Sequence, residues 1–168
     1  MQLSMFHALI PQSIAGLNNL SNILTKGQEY ATQKKIEPEI LVNARLAPDM
    51  FALARQIQIT TDVIKGGAAR LASVEIPSYA DTETTFEQLQ SRIKKTIEFL
   101  QGFAPNQIDG SEEKQITLKV GGNEMQFLGR PYLLSFVLPN FYFHISMAYA
   151  ILRHNGVPLS KMDFLGSL

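Results

Sequence analysis

The sequence predicts an all-α four-helix bundle with a small β-hairpin inserted between its third and fourth helices. Three observations carry this expectation. Apolar residues recur at three- and four-residue steps in four long segments, which is the helical period. One short segment alternates instead, as strands do. The chain has 168 residues, which reads as one domain, 1–168, large enough to bury a core without staples.

The first helix is expected from Ser4 to Lys34, on Leu9, Ile14, Leu17, Leu20, Ile23 and Leu24. Pro11 should kink it or delay its start, because proline lacks a donor and crowds the preceding turn. The second is announced by ARLAPDMFALARQIQ, with Pro48 and Asp49 suited to a first turn. Met50, Leu53, Ile57, Ile64, Ala68 and Leu71 mark one face of it, up to about Ser73. Gly66 and Gly67 weaken this helix but leave room for close approach of another. The third starts at Thr84 or Thr85, with Glu87 and Gln88 placed for a capping box, and stops at Gly102. Its stripe is Phe86, Leu89, Ile93, Ile97 and Leu100.

The alternating segment follows. Ile116, Leu118 and Val120 lie on one face, Thr117 and Lys119 on the other, and Gly121-Gly122-Asn123 makes a turn before Met125–Leu128. A lone hairpin is marginal in water, so it should pack on the bundle or on another subunit. The fourth helix spans Pro131 to about His154 and is expected to bend at Pro139, with Asn155-Gly156 as its stop. The tail, with Phe164 and Leu165, should dock back.

Composition narrows the function. Lysine plus arginine number 15, and aspartate plus glutamate 15. That balance gives no footprint for nucleic acid or an anionic membrane surface. There is no cysteine, which excludes disulfides, thiolate metal sites and cysteine nucleophiles. The start MQLSMFHALIPQ has neither the basic beginning nor the apolar core of a secretory signal, so the expected location is the cytoplasm. Residues 131–152 are long enough to span a bilayer. Ser135, Asn140, His144 and Ser146 would then sit at mid-depth, where polar groups are costly. The segment reads as a core helix, with no membrane partner.

Three histidines are present: His7, His144 and His154. His144 and His154 are about 80° apart around a helix and ~15 Å apart along it, so they cannot share a metal within that helix. His154 reads as a cation at a helix end, and His7 as a solvated or core-edge residue. Asn140 precedes His144 by one turn, which stacks the two on one face as a polar pair or an interior site. Ser146 is only two residues from His144 and points elsewhere, against a serine hydrolase. Asp62 and Glu98 read as lone exposed carboxylates. Gly66-Gly67 has no preceding strand and is not a phosphate loop.

ARLAPDMFALARQIQ, KGGAARLA and LPNFYFHISMAYAILRHNGVPLSKMDFLG resemble the bacterial family called domain of unknown function 1993, across essentially the whole chain. That family is similar to the DinB/YfiT-like superfamily of four-helix bundles. The resemblance implies a DinB-like bundle and, commonly, a homodimer. Many superfamily members bind a divalent metal, such as nickel or zinc, through three histidines. Some act as thiol-dependent transferases or metal-dependent hydrolases. The pattern has one histidine early in helix two and two about four residues apart on the last helix. Aligned on Leu152, Arg153, Gly156 and Val157, His144 matches the second of that pair and Asn140 the first. Gln56 matches the helix-two position. His144 is therefore the one imidazole available to a metal. Two of the three positions carry amides, which are weak donors for nickel or zinc but good hydrogen-bond partners. The expected protein is a ligand-binding or non-catalytic homodimer with a degenerate metal site. Its pocket candidates are Gln56, Asn140, His144 and Tyr142, with Tyr149 and Gln58 as further contributors for a small-molecule ligand. The alternative is a metal-dependent thiol transferase or hydrolase.

Overall fold

A computed structural model describes residues 4–166. Its elements in chain order are α1 (Met5–Lys34), α2 (Pro38–Val42), α3 (Leu53–Ala72), α4 (Phe86–Gln101), α5 (Pro105–Ile108), β1 (Gln115–Val120), β2 (Asn123–Leu128), α6 (Gly129–Pro131), a π-helical stretch (Tyr132–Val137), α7 (Leu138–His154) and α8 (Lys161–Leu165). The four long helices and the hairpin are those the sequence predicts. The apolar stripes of α1, α3, α4 and α7 converge on one core cluster, in which Leu17, Leu20, Ile57, Ile64, Leu89, Phe141 and Leu152 are sealed from solvent.

Local chemistry sets most boundaries. Ser4 caps α1 by accepting from the His7 N–H at 3.1 Å. Thr85 and Gln88 form the expected capping box on α4. Gly121 and Gly122 take φ of +58° and +85°, the pair of left-handed residues that a two-residue hairpin turn needs. The hairpin pairs Val120 with Asn123 and Gln115 with Leu128, and packs Ile116 and Leu118 into the core.

Two expectations need correction, and the last helix shows an irregularity the sequence did not announce. Pro11 does not delay α1, which runs through it from Met5. Buried residues on both sides, Leu9, Ile10, Ser13 and Leu17, hold the helix against a proline penalty of about 3 kcal/mol. The second long helix starts at Leu53, not Pro48. Pro48 and Asp49 instead shape a turn, for which that pair is equally suited. The fourth helix carries a π-helical stretch just before Pro139. Leu138 N–H donates to Leu133 O across five residues, and this π register places Pro139 in the first turn of α7, where its missing donor matters least.

The contacts define helix directions. Ser21 bonds Gln90, and Gln28 bonds Glu87, so α1 and α4 are antiparallel. Gly16 lies against Phe141 and Gly27 against Leu152, so α1 and α7 are parallel. Gly67 meets Val137 while Gln56 meets His144, so α3 and α7 are antiparallel. By elimination α3 and α4, which pack side by side, run the same way. The chain must then return along the bundle between them, and residues 73–85 do so as an irregular strap. Extended, that strap reaches ~40 Å, enough to span the ~30 Å of α3.

The expected docking of the tail is present. Asn19 Nδ2 donates to Phe164 O at 3.1 Å, Lys26 pairs with Asp163 at 2.5 Å, and Phe164 packs edge-on against Tyr149. Asn155 and Gly156 end α7, and a Cβ at position 156 would meet the Tyr30 hydroxyl.

The α3–α7 contact is unusually tight. A Cβ built on Gly67 would lie 2.7 Å from Val137 Cγ1. Gly67→Ala gains up to ~1 kcal/mol of helix propensity but overpacks a stiff β-branched neighbour, at about 1–3 kcal/mol. The expected net result is a lower urea midpoint. Adding Val137→Ala should recover part of it in a double-mutant cycle.

Candidate functional site

Gln56 lies in the first turns of α3 and His144 in the middle of α7. Both are nearly closed to solvent, at 2 % and 8 % exposure. The His144 Nδ1 to Gln56 Oε1 distance is 2.7 Å. The Gln56 amide is oriented by its other end, because Nε2 donates to Phe51 O at 3.2 Å and a carbonyl can only accept. Oε1 therefore faces the imidazole as an acceptor, and Nδ1 must carry the proton. The lone pair of the neutral ring is on Nε2, which has no hydrogen-bond partner among the described residues. Burial, and next the Arg55 charge, push His144 below the ordinary histidine pKa. The neutral, acceptor-bearing form is the stable one.

The remaining sequence candidates fall in different places. Asn140 is half-buried one turn before His144 but makes no hydrogen bond to it among the described residues. Gln56 takes that role instead. Tyr142 is 39 % exposed and points away from the His144 side of α7, as its two-residue offset requires. Tyr149 turns toward the tail, donating to Leu159 O at 3.4 Å. Gln58 turns toward the strap, donating to Glu83 Oε2 at 3.0 Å. His7 is exposed beside Ser4 Oγ, and His154 lies in the last turn of α7. One ring not anticipated is Phe143, 54 % exposed, which stands edge-on to the imidazole with centroids 5.2 Å apart.

A second polar cluster lies on the other flank of α3, and sequence reasoning missed it. Arg92 on α4 is 4 % exposed. It donates to Thr61 Oγ1 at 2.7 Å, Asp62 Oδ1 at 2.9 Å, Ala80 O at 3.0 Å and Glu83 Oε1 at 3.0 Å, and approaches Asp81 at 3.1 Å. Asp62 is thus no lone carboxylate, since Lys65 also holds it at 2.9 Å. Tyr79 of the strap packs beneath three cations, with Lys65 Nζ 3.6 Å from its ring centroid, Lys95 at 4.3 Å and Arg92 at 5.3 Å. Burial pushes the Tyr79 phenol up. The available signal was Arg92 and Thr96 at helical steps from Leu89 and Leu100, polar residues inside an apolar stripe.

The sequence matches the family described as Domain of unknown function (DUF1993) over residues 5–165. The chain belongs to the DUF1993 family. Among solved structures it is similar to a DinB family member protein from Shewanella denitrificans, with a TM-score of 0.88 and 36 % identity over 97 % of this chain and 92 % of that one. No match was found among curated proteins.

This DUF1993 protein therefore has a DinB-like fold, and the three-histidine set that the sequence resemblance implies can be tested on its donors. One of the three positions supplies an imidazole. The second is an amide oxygen already accepting from that same ring, and the third is an amide with no bond to either. No group of three His, Asp or Glu side chains is placed to hold a metal ion among the described residues. Amide oxygens suit hard cations and hold nickel or zinc poorly. The residues do not fit a transition metal.

Two outcomes follow. Arg92→Met should cost about 2–3 kcal/mol in urea unfolding, below the ~3–5 of a fully buried pair, because Asp62 and Asp81 keep 40 % and 38 % side-chain exposure. The second concerns pH. The unfolded chain takes up a proton near pH 6.5 that native His144 refuses, so unfolding becomes easier as pH falls below that value toward the depressed native pKa. His144→Gln should remove one proton's worth of that slope, read from urea curves between pH 7.5 and 5.

Proposed function

We propose that this DUF1993 protein is a non-catalytic, ligand-binding homodimer whose metal position is degenerate. The Gln56–His144 hydrogen bond carries the reading. It spends the amide on holding the ring and leaves Nε2 as a fixed acceptor in a weakly solvated place. A ligand suited to it brings an N–H or O–H donor to Nε2 and an apolar body to the exposed rings of Phe143 and Phe51, which are 54 % and 56 % exposed.

The dimer is supported by the outer side of the last helix. Residues 129–154 form a long apolar helix, yet its most apolar window is only 33 % buried. Leu134, Tyr142 and Phe143 are exposed there. Ser135 lies on the exposed side and Asn140 and Ser146 at its margin, which suits a protein partner better than lipid.

Protein incubated with excess nickel or zinc and then desalted should retain well under one equivalent of metal. Stoichiometric metal that disappears in His144→Ala would overturn the reading in favour of a metal-dependent enzyme. Light scattering should give twice the chain mass, and Leu134→Glu should shift it to monomer. A wild-type monomer at micromolar concentration would end the dimer reading.

A further inference from the structure

A polar cavity lies along the C-terminal half of α3, where the strap passes. Arg70, Lys65 and Asp62 line an open cavity of about 350 Å³, together with Ile76, Pro77, Ser78 and Tyr79 of the strap. Arg70 has no carboxylate partner among the described residues. Its Nη1 donates to the Tyr132 hydroxyl at 3.1 Å. Tyr132 is 1 % exposed, and burial pushes its phenol up, so it orients the guanidinium without neutralising it. Gly66 makes the seat, because a Cβ there would lie 2.5 Å from Arg70 Nη1. Lys65 is 3 % exposed. It shares its one acidic partner, Asp62, with Arg92, and Tyr79 covers its other side. Two fixed cations with one shared carboxylate leave the cavity net positive. The remaining guanidinium donors form a planar fork of the kind that matches an oxyanion.

We infer that this cavity binds a small oxyanion, a carboxylate or a phosphate group. Arg70 grips it in two-pronged fashion, Lys65 adds the second charge, and any short apolar portion lies along Ile76 and Pro77. The site lies at least nine residues along α3 from Gln56, ~13 Å of helix. It is independent of the His144 pocket.

Calorimetric titration of the full chain at low salt, with inorganic phosphate in one arm and succinate in the other, tests this. Saturable binding of at least one is expected, and the arm that binds identifies the class. Arg70→Gln should weaken it at least tenfold. Arg70→Lys should weaken it less, since it keeps the charge and loses the fork. Gly66→Ala should weaken it by displacing the guanidinium. His144→Ala should leave it unchanged, which separates this site from the other. Circular dichroism and the urea midpoint establish that each variant is folded. Absence of binding in both arms, or wild-type affinity in folded Arg70→Gln, would overturn the proposal.

Discussion

Much of this structure depends on two neighbouring helices running the same way. Because α3 and α4 are parallel neighbours, the chain cannot turn tightly between them and must recross the bundle. A recrossing segment has backbone groups with no ladder to satisfy them. Arg92 resolves this at one point. Its guanidinium reaches Ala80 O, Asp81 and Glu83 on the strap, and Thr61 and Asp62 on α3. One planar donor set thereby joins α4, the strap and α3. Such a cluster is stabilising only when its lone pairs and protons are all used, and Arg92 meets that condition. The strap's position then determines where Tyr79 meets its cations and what lines the cavity beside Lys65 and Arg70.

The opposite flank of α3 is governed by shape rather than charge. Gly67 lets α7 approach until its missing Cβ is the only slack against Val137. From that contact Gln56 lies three turns back along α3, and His144 two turns forward along α7. The antiparallel arrangement carries both toward the same end of the bundle, and their side chains close the remaining turn of offset. The π-helical stretch 132–137 sets the rotation with which α7 emerges, because a five-residue hydrogen bond inserts an extra residue into the turn. The imidazole-to-amide bond is therefore a consequence of backbone geometry set well away from it.

Periodicity made the four helices legible, and paired glycines with alternation made the hairpin legible, since these are local signals. Gln56 and His144 could be named because the resemblance aligned them, yet their mutual bond could not. Asn140, one turn away on the same helix, looked like the natural partner, and only the α3–α7 contact chose Gln56. Pro48 misled for a related reason, because proline followed by aspartate starts helices and turns alike. Arg92 stayed hidden because its acceptors are spread over residues 58–83. No local pattern announces a buried cation whose counter-charges arrive from a loop.

The two flanks also differ in which charge they tolerate, and α3 itself supplies a reason. The N-terminal end of a helix is effectively positive and the C-terminal end negative. His144 meets α3 near its start, where the dipole, the Arg55 charge and burial all oppose protonation of the ring. Arg70, by contrast, sits in the last turn. Lys114 also gathers there, donating to Arg70 O at 2.8 Å and Leu71 O at 2.9 Å. Cations at that end find unpaired carbonyls and a favourable field. A neutral acceptor at one end and fixed positive charge at the other are thus two readings of a single helix dipole. On that view Gln56 does more than fill a polar position in the core. It makes the start of α3 a place where an uncharged imidazole is held, oriented and kept uncharged.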